Sequence, residues 1–377
     1  SDMGVSDWNG TTGLECVNYY FTVPSDMTEK GLEFWSYAIR KPLMNRTEFD
    51  AEKKVVISEI NGSASDPSRI LMEARNELIF SDAPYAMSPS GSENSVKNAT
   101  LKQLKEIQRT FYVPNNSAVF VGGDVVPDEV YEMVKRTFGS WKKGKNPFAD
   151  GMIKHSKEPF GNPVYRVMPY EKISGQLAQI MVEFRGPDAA YDLDDTYPVD
   201  VLLNLIENPL GIFKKSLVDD KMLGIPDSGY AGGGYQTRKT CGILSFYALV
   251  TQPELDVAER AKYFAAKIPG LVEKTVAEAE QEQIRKICER LDDDNIITRQ
   301  TAEGLLGTLR FWWSVSGEDY YYTYNQKIAD VTSGLLVEFS EKYLKGKNPL
   351  VTVLVSPEVY EKTKNQFEKA GFEEIKK

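Results

Sequence analysis

The sequence predicts an α+β protein of two duplicated domains, each a mostly antiparallel sheet with helices packed on one face. Short runs of β-branched and aromatic residues alternate with longer stretches of helical periodicity. One helix–strand–helix pattern occurs in both halves of the chain, and a polar stretch rich in Lys, Gly and Pro separates them. We therefore predict a first domain at residues 1–145, a linker at 146–162 and a second domain at 163–377.

The first half predicts a strand followed by a series of helices. Residues 14–23 are rich in β-branched and aromatic side chains, which is typical of a strand. Thr100 and Gln103 form a capping box, so a helix begins there and ends near Tyr112. Residues 118–121 form a short apolar run that predicts a buried strand. Apolar spacing and capping signals predict the other helices of this half at 26–43, 49–61, 67–79 and 128–138.

The second half repeats the order of elements of the first. Residues 339–344 end a helix, residues 350–355 form an apolar strand and Pro357 opens a further helix. The same order occurs around the run 118–121 and the helix that Pro127 opens. We interpret this repetition as a duplicated unit, the alternative being chance reuse of a common strand–turn–helix motif.

The bulk composition excludes several classes of partner. The formal net charge of −10 argues against nucleic acid, because phosphate binding requires a basic face. No apolar run approaches the length of a membrane-spanning helix, so we expect no membrane partner. The three cysteines are far apart and form no C-x-x-C pair, so neither a disulfide framework nor a thiolate zinc site is predicted.

The chain has a single histidine, His155, which lies in a polar stretch and is predicted to be a solvated loop residue. No G-x-S-x-G, phosphate-loop or dinucleotide motif is present. The glycine-rich segment 230–235 lacks the Lys-Ser/Thr of a phosphate loop. We interpret it as a flexible turn before a strand at 243–250.

Two glutamates seven residues apart, Glu52 and Glu59, are the most informative pair in the chain. On a helix they point about 20° apart, two turns from each other. Apolar residues flank them, with Val55 on one side and Val56 and Ile60 on the other, which predicts that both carboxylates lie in the buried arc. They are either ordinary glutamates at the edge of a core or a metal ligand with a supporting carboxylate, since a buried carboxylate requires a cation or donors.

These features together resemble the insulinase/pitrilysin family of zinc metallopeptidases. The family pattern runs Asn-Ala-x-Thr, a Tyr-rich strand, Glu-x₆-Glu, and then Tyr-x-Pro-x-Asn before a strand and Gly-Asp. The matching segments lie in the same order at residues 9–12, 17–21, 52–59, 112–116 and 121–124. The likeness covers most of residues 4–145, and the remainder of the chain only in its layout.

The resemblance implies a role for each of these residues. Glu59 matches the third zinc ligand, and Glu52 matches a glutamate that hydrogen-bonds around the site. Asn9, Gly10 and Thr11 would face the backbone of a peptide substrate. In such enzymes the other ligands are the two histidines of an H-x-x-E-H helix, whose glutamate is the general base for zinc-activated water.

The sequence departs from the family at this motif, because no histidine precedes Glu59. We expect a fragment of a zinc metalloendopeptidase that binds zinc only in the intact protein and is itself inactive. Its partners would be peptide substrates and a C-terminal half or second subunit that completes a closed chamber. The alternatives are a noncatalytic partner or scaffold subunit, and a peptide-binding module. The compartment stays open between cytoplasm and periplasm.

Overall fold

The computed structural model describes residues 3–81, 84–151 and 155–376. Residues 152–154 of the predicted linker therefore lie outside the described residues. The chain divides into two compact units. Unit 1 comprises Ser1–Ser65, Met87–Ile153 and Thr298–Phe311, and unit 2 comprises Asp66–Ala86, Lys154–Ile297 and Trp312–Lys377. The chain passes from one unit to the other several times along its length.

Runs of helices separate short groups of strands along the described chain, which is typical of an α+β fold. The strands are β1 (Asp7–Thr12), β2 (Val17–Thr22), β3 (Val164–Pro169), β4 (Leu177–Arg185), β5 (Ala231–Gln236), β6 (Ile243–Thr251), β7 (Leu350–Val355) and β8 (Glu373–Glu374). The helices are α1 (Thr28–Arg40), α2 (Arg46–Ser63), α3 (Pro67–Phe80), α4 (Glu93–Asn98), α5 (Leu101–Phe111), α6 (Pro127–Phe138), α7 (Thr196–Glu207), α8 (Ile212–Val218), α9 (Val257–Ala277), α10 (Gln281–Thr298), α11 (Ala302–Val315), α12 (Glu318–Ala329), α13 (Ser333–Tyr343) and α14 (Pro357–Lys369). The described residues contain no helix with the length and apolar character needed to span a bilayer.

Unit 1 is organised around a two-stranded antiparallel hairpin of β1 and β2. Phe21 of β2 stacks on Trp35 of α1 with ring centroids 5.0 Å apart. A glycine at position 31 of α1 permits this approach, because a Cβ there would lie 3.0 Å from the Phe21 ring. Helix α1 in turn packs on α6, where the Ser36 hydroxyl donates to the backbone carbonyl of Thr137 at 2.7 Å.

Side-chain caps begin three helices of unit 1, α2, α4 and α5. The Thr100–Gln103 capping box is present at the start of α5, as predicted. The prediction of a strand at 118–121 is wrong, because these residues are not in a strand. A strand requires a hydrogen-bonded neighbour, and in the described chain no ladder includes this run.

Unit 2 contains a six-stranded mixed sheet in the order β5-β6-β4-β7-β3-β8. Strands β5, β6, β4 and β7 are mutually antiparallel neighbours, and β3 pairs in parallel with β7 and β8. The sheet is thus mostly antiparallel, as predicted. Its longest ladder joins β4 to β6 over nine residue pairs, with Val182 opposite Phe246.

Helices cover both faces of this sheet to different extents. The main core lies on one face, where Ile180, Val182 and Val353 are fully buried with α7, α9 and α13. Alternate residues of the same strands point to the other face. There Met168 and Leu354 contact α3, so this helix supplements the single helical layer that the sequence predicted.

Burial on the α3 face includes one carboxylate, Glu183 of β4. Its side chain accepts hydrogen bonds from Arg75 of α3 at 3.3 Å and from the Ser245 hydroxyl of β6 at 3.2 Å. Both members of the Arg75–Glu183 pair are buried. Burial raises the pKa of Glu183, and Arg75 acts in the opposite direction. The pair therefore joins α3 to the centre of the sheet through the buried carboxylate of β4.

The prediction of a flexible turn at 230–235 is wrong, because Ala231–Gln236 form the edge strand β5. The glycines here make room for a neighbouring side chain, since a Cβ on Gly232 would lie 2.2 Å from Oε1 of Glu207. The same oxygen accepts a hydrogen bond from the Gly233 backbone N–H at 2.7 Å. The glycines in this strand therefore allow the Glu207 side chain to approach the backbone closely, and they do not mark a turn.

Substituting Arg75 by Ala should destabilise unit 2 by about 3 kcal/mol or more, because it leaves the Glu183 carboxylate buried without its cation. Urea unfolding followed by circular dichroism measures this change. The matched control is Arg69→Ala on the same helix, whose pair with Glu73 is less buried and should cost less than about 1 kcal/mol. Equal losses for the two variants would contradict the role given to Arg75.

Candidate functional site

Helix α2 carries the two glutamates singled out from the sequence. Asn45 caps its first turn, accepting a hydrogen bond from the Glu48 backbone N–H at 2.8 Å. Glu52 and Glu59 lie two turns apart, a rise of about 10.5 Å along the axis. Both side chains are exposed, and within the described residues neither carboxylate has a hydrogen-bond or ion-pair partner.

The prediction that these carboxylates lie in the buried arc is wrong. The covered stripe of α2 runs instead through Phe49, Lys53, Val56 and Ile60, of which Ile60 is buried. Val55, on the far side of the glutamates, is 49% exposed. The glutamates therefore border the covered stripe, which corresponds to the edge-of-core interpretation.

Lys53 explains why the covered stripe is displaced from the one predicted. Its ammonium group donates to the backbone carbonyls of Lys97 at 2.6 Å and Ala99 at 3.0 Å. These carbonyls lie at the end of α4, where free acceptors favour a cation. Because the Lys53 ammonium group and these carbonyls satisfy each other, covering the Lys53 side chain costs little free energy. Helix α2 therefore packs the side that carries Lys53 against α4.

Strand β1 carries the residues expected to face substrate, Asn9, Gly10 and Thr11, all of them exposed. The Asn9 side-chain oxygen accepts the backbone N–H of Gly10 at 2.8 Å. These residues lie in the same unit as α2. In the described part of the chain no hydrogen bond or ion pair joins them to Glu52 or Glu59.

A tyrosine pair beside β1 was not identified from the sequence as a contact. Tyr19 lies opposite Gly10 in the hairpin, and its hydroxyl is 2.8 Å from the hydroxyl of Tyr112. Burial and this hydrogen bond raise the pKa of Tyr112. Both tyrosines belong to segments that match the family pattern, 17–21 and 112–116, but only the fold brings positions 19 and 112 together.

The described residues do not by themselves make a zinc site. Over residues 3–81, 84–151 and 155–376, no group of three His, Cys, Asp or Glu side chains could hold a metal ion. His155 is half-buried in unit 2, with its ring stacked on Tyr85 at 4.7 Å, so the prediction of a solvated histidine is wrong. We therefore derive no metal-dependent step from this chain's own residues.

Comparison with known families places this fold. Residues 1–91 match the insulinase family, peptidase family M16, and residues 98–288, about half of the chain, match the M16 inactive domain. The chain belongs to the M16 (insulinase) peptidase family. The sequence resemblance and the α+β fold class are thereby confirmed.

Individual relatives are distant. The chain is 26% identical over 222 residues to the zinc protease PqqE of Helicobacter pylori, covering 58% of this chain and 48% of that protein. It is 23% identical over 204 residues to the uncharacterized zinc protease YmfH of Bacillus subtilis, covering 54% and 44%. The chain thus spans about half the length of these curated relatives.

Solved structures share the fold at still lower identity. A protease from Helicobacter pylori superposes with a TM-score of 0.74 at 20% identity, covering 94% of this chain and 83% of that one. The first half of the periplasmic protease PqqL from Escherichia coli gives a TM-score of 0.69 at 16% identity, covering 97% and 80%. At these identities the likeness establishes the fold alone.

Neutralising the two glutamates should leave folding unchanged. Glu52→Gln and Glu59→Gln should each alter the free energy of unfolding by less than about 0.5 kcal/mol, because both carboxylates are exposed and unpaired. Urea unfolding measures this. Ile60→Ala on the same helix is the matched control, and it should cost about 2 kcal/mol or more because Ile60 is buried. A loss above about 1 kcal/mol for either glutamine variant would show that the carboxylate is structural.

Proposed function

We propose that this chain is part of a zinc-dependent metalloendopeptidase and is itself inactive, because it lacks two histidine ligands and a general-base glutamate. The observation that carries this proposal is the pair Glu52 and Glu59, exposed and uncommitted on one side of α2 in the described residues. Family membership supports it, as do relatives named as zinc proteases. The whole protein would bind zinc through polypeptide outside these 377 residues together with Glu59.

Glu59 is the proposed zinc ligand and Glu52 the residue that supports the site. Within the described chain, Glu59 breaks no hydrogen bond or ion pair when it turns toward a metal. Binding would therefore cost little beyond the ordering of one side chain. Glu52, two turns earlier on the same side of α2, would hydrogen-bond a neighbouring ligand or substrate group and orient it.

Peptide substrate would bind as an added strand along β1. Among the described residues β1 pairs only with β2, so its outer edge has no strand neighbour, and the Gly10 N–H there is bonded only to the Asn9 side chain. Asn9 and Thr11 lie on this exposed strand and would contact the substrate backbone. Gly10 between them lies against the Tyr19 ring, where an added Cβ would be 3.1 Å from Cδ1. The Tyr19 ring of β2 thus packs against the backbone of β1 at Gly10.

A second half or subunit would complete the proposed chamber. The neighbour described as the first half of PqqL is part of a longer protease. The present chain also superposes on the structure of PqqL itself, with a TM-score of 0.68, and covers 38% of the PqqL chain. A chain of this fold can therefore occur as one part of a larger enzyme. We propose the same arrangement for this protein.

A noncatalytic partner or scaffold subunit is the second candidate. Residues 98–288 match a domain described as inactive, and the described residues hold no three-donor metal group. On this reading Glu52 and Glu59 are ordinary surface glutamates. A peptide-binding module without hydrolysis would share the β1 edge but would show no zinc dependence in the complete protein.

In the protein that carries this chain together with an H-x-x-E-H segment, Glu59→Gln should reduce zinc affinity by more than about 100-fold, because a direct ligand is lost. Glu52→Gln should keep zinc and lower peptide hydrolysis by about 10- to 100-fold. Zinc content by mass spectrometry and cleavage of a quenched fluorescent peptide measure the two effects.

Glu48→Gln is the matched control, since Glu48 is an exposed residue in the first turn of α2, and it should change neither quantity. Unchanged zinc content in Glu59→Gln would remove the ligand assignment. If the complete protein contains no H-x-x-E-H segment and no zinc, the chain functions as a noncatalytic subunit and the metallopeptidase proposal is wrong.

A further inference from the structure

His155 lies against two aromatic rings at the point where the chain enters unit 2. Its imidazole stacks on the Tyr85 ring at 4.7 Å with an interplanar angle of 21°, and it meets the Phe80 ring edge-on at 5.2 Å. Tyr85 and Phe80 are buried, and they belong to the segment 66–86 that carries α3. The histidine thus joins two parts of unit 2 that are distant in sequence.

Two arginines face the same cluster. The Arg238 guanidinium lies 4.9 Å from the Phe80 ring centroid and 5.6 Å from that of Tyr85. Arg185 donates to the Asp188 carboxylate at 3.0 Å and, through Nε, to the Ser156 carbonyl next to His155 at 2.9 Å. The carboxylate of Asp188 is therefore already paired. A proton on His155 would add a positive charge close to Arg185 and Arg238, whose charges act against it.

We propose that the contact of His155 with Phe80 and Tyr85 is a pH-sensitive latch, closed while the imidazole is neutral and released when it is protonated. The proposal does not depend on zinc or on hydrolysis. It assigns His155 a regulatory contact in unit 2, in place of the solvated loop that the sequence predicted.

The electrostatic surroundings agree in sign. Burial, and then the charges of Arg185 and Arg238, lower the pKa of His155, while Asp188 acts in the opposite direction. A histidine whose pKa is lower in the closed state than in the open state contributes its full stability at high pH. That stability is lost as the pH falls below the open-state pKa of about 6.5. Acidification from pH 7.5 to 5.5 should therefore favour the open state by up to about tenfold.

Other bonds confine the opening to the neighbourhood of the histidine. Lys157 pairs with Asp192, and Glu158 pairs with Lys347 at 2.6 Å, so residues 157 and 158 stay bound to unit 2 in acid.

Glu183, whose charge also faces Arg238, titrates with the opposite sign. Because its pKa is raised in the folded state, acid strengthens the folded state at that site.

The first test is a proton NMR titration of the imidazole. Because the chain has one histidine, a sample without a histidine tag gives a single C2–H resonance that needs no assignment. We expect an apparent pKa below 6.5. A value at or above 6.5 would overturn the latch, because protonation would then not oppose closure.

The second test is amide hydrogen exchange at pH 7.5 and 5.5, corrected for intrinsic exchange rates and read in peptides that cover 78–88 and 155–162. In the wild type, exchange should rise by up to about tenfold at pH 5.5. His155→Phe keeps a stacked ring without a titrating nitrogen, so its exchange should be slow at both pH values. His155→Ala should exchange rapidly at both.

Glu183→Gln is the control for the other titrating group in the cluster, and it should retain the acid response. Circular dichroism verifies that each variant is folded. If His155→Phe shows the same acid response as the wild type, the latch is refuted.

Discussion

Glu183 is the constraint on which the arrangement of unit 2 depends. A carboxylate at the centre of a six-stranded sheet must be neutralised or paired, and no residue on β4 or its neighbouring strands supplies a cation within bonding distance. Arg75 of α3 does so, although more than a hundred residues separate the two. The segment 66–86 lies between α2 and α4 in the sequence but belongs to unit 2, where its helix α3 covers the second face of the sheet.

The sequence predicted best those features that local rules decide. The capping box at Thr100 and the start of the predicted helix at residue 67 depend only on neighbouring residues, and both occur. Strands β6 and β7 are apolar enough to be recognised without knowledge of their partners. The predictions were wrong where the structure of a segment depends on residues distant in sequence. Residues 118–121 have the composition of a strand but pair with no strand in the described chain. Strand β5 is glycine-rich because the Glu207 side chain lies against it.

The same distinction applies to the candidate site. Helical geometry placed Glu52 and Glu59 on one side of α2, because spacing alone fixes this. Which side a helix covers depends on its neighbours, and here the α4 carbonyls bound by Lys53 select a different stripe. Local polarity likewise suggested that His155 is solvated, since its ring partners come from positions 80 and 85. The contact between Tyr19 and Tyr112 is equally non-local.

The two units exchange pieces of chain. The part of the sequence before the linker supplies α3 to unit 2. The part after it supplies residues 298–311, which include ten of the fourteen residues of α11, to unit 1. Leu306 in this stretch lies against Gly122, where an added Cβ would be 3.1 Å away. A proteolytic cut in the linker consequently does not yield two autonomous domains. Each product would keep a segment that belongs to the other's fold, so the nicked protein would persist as a complementing pair of fragments.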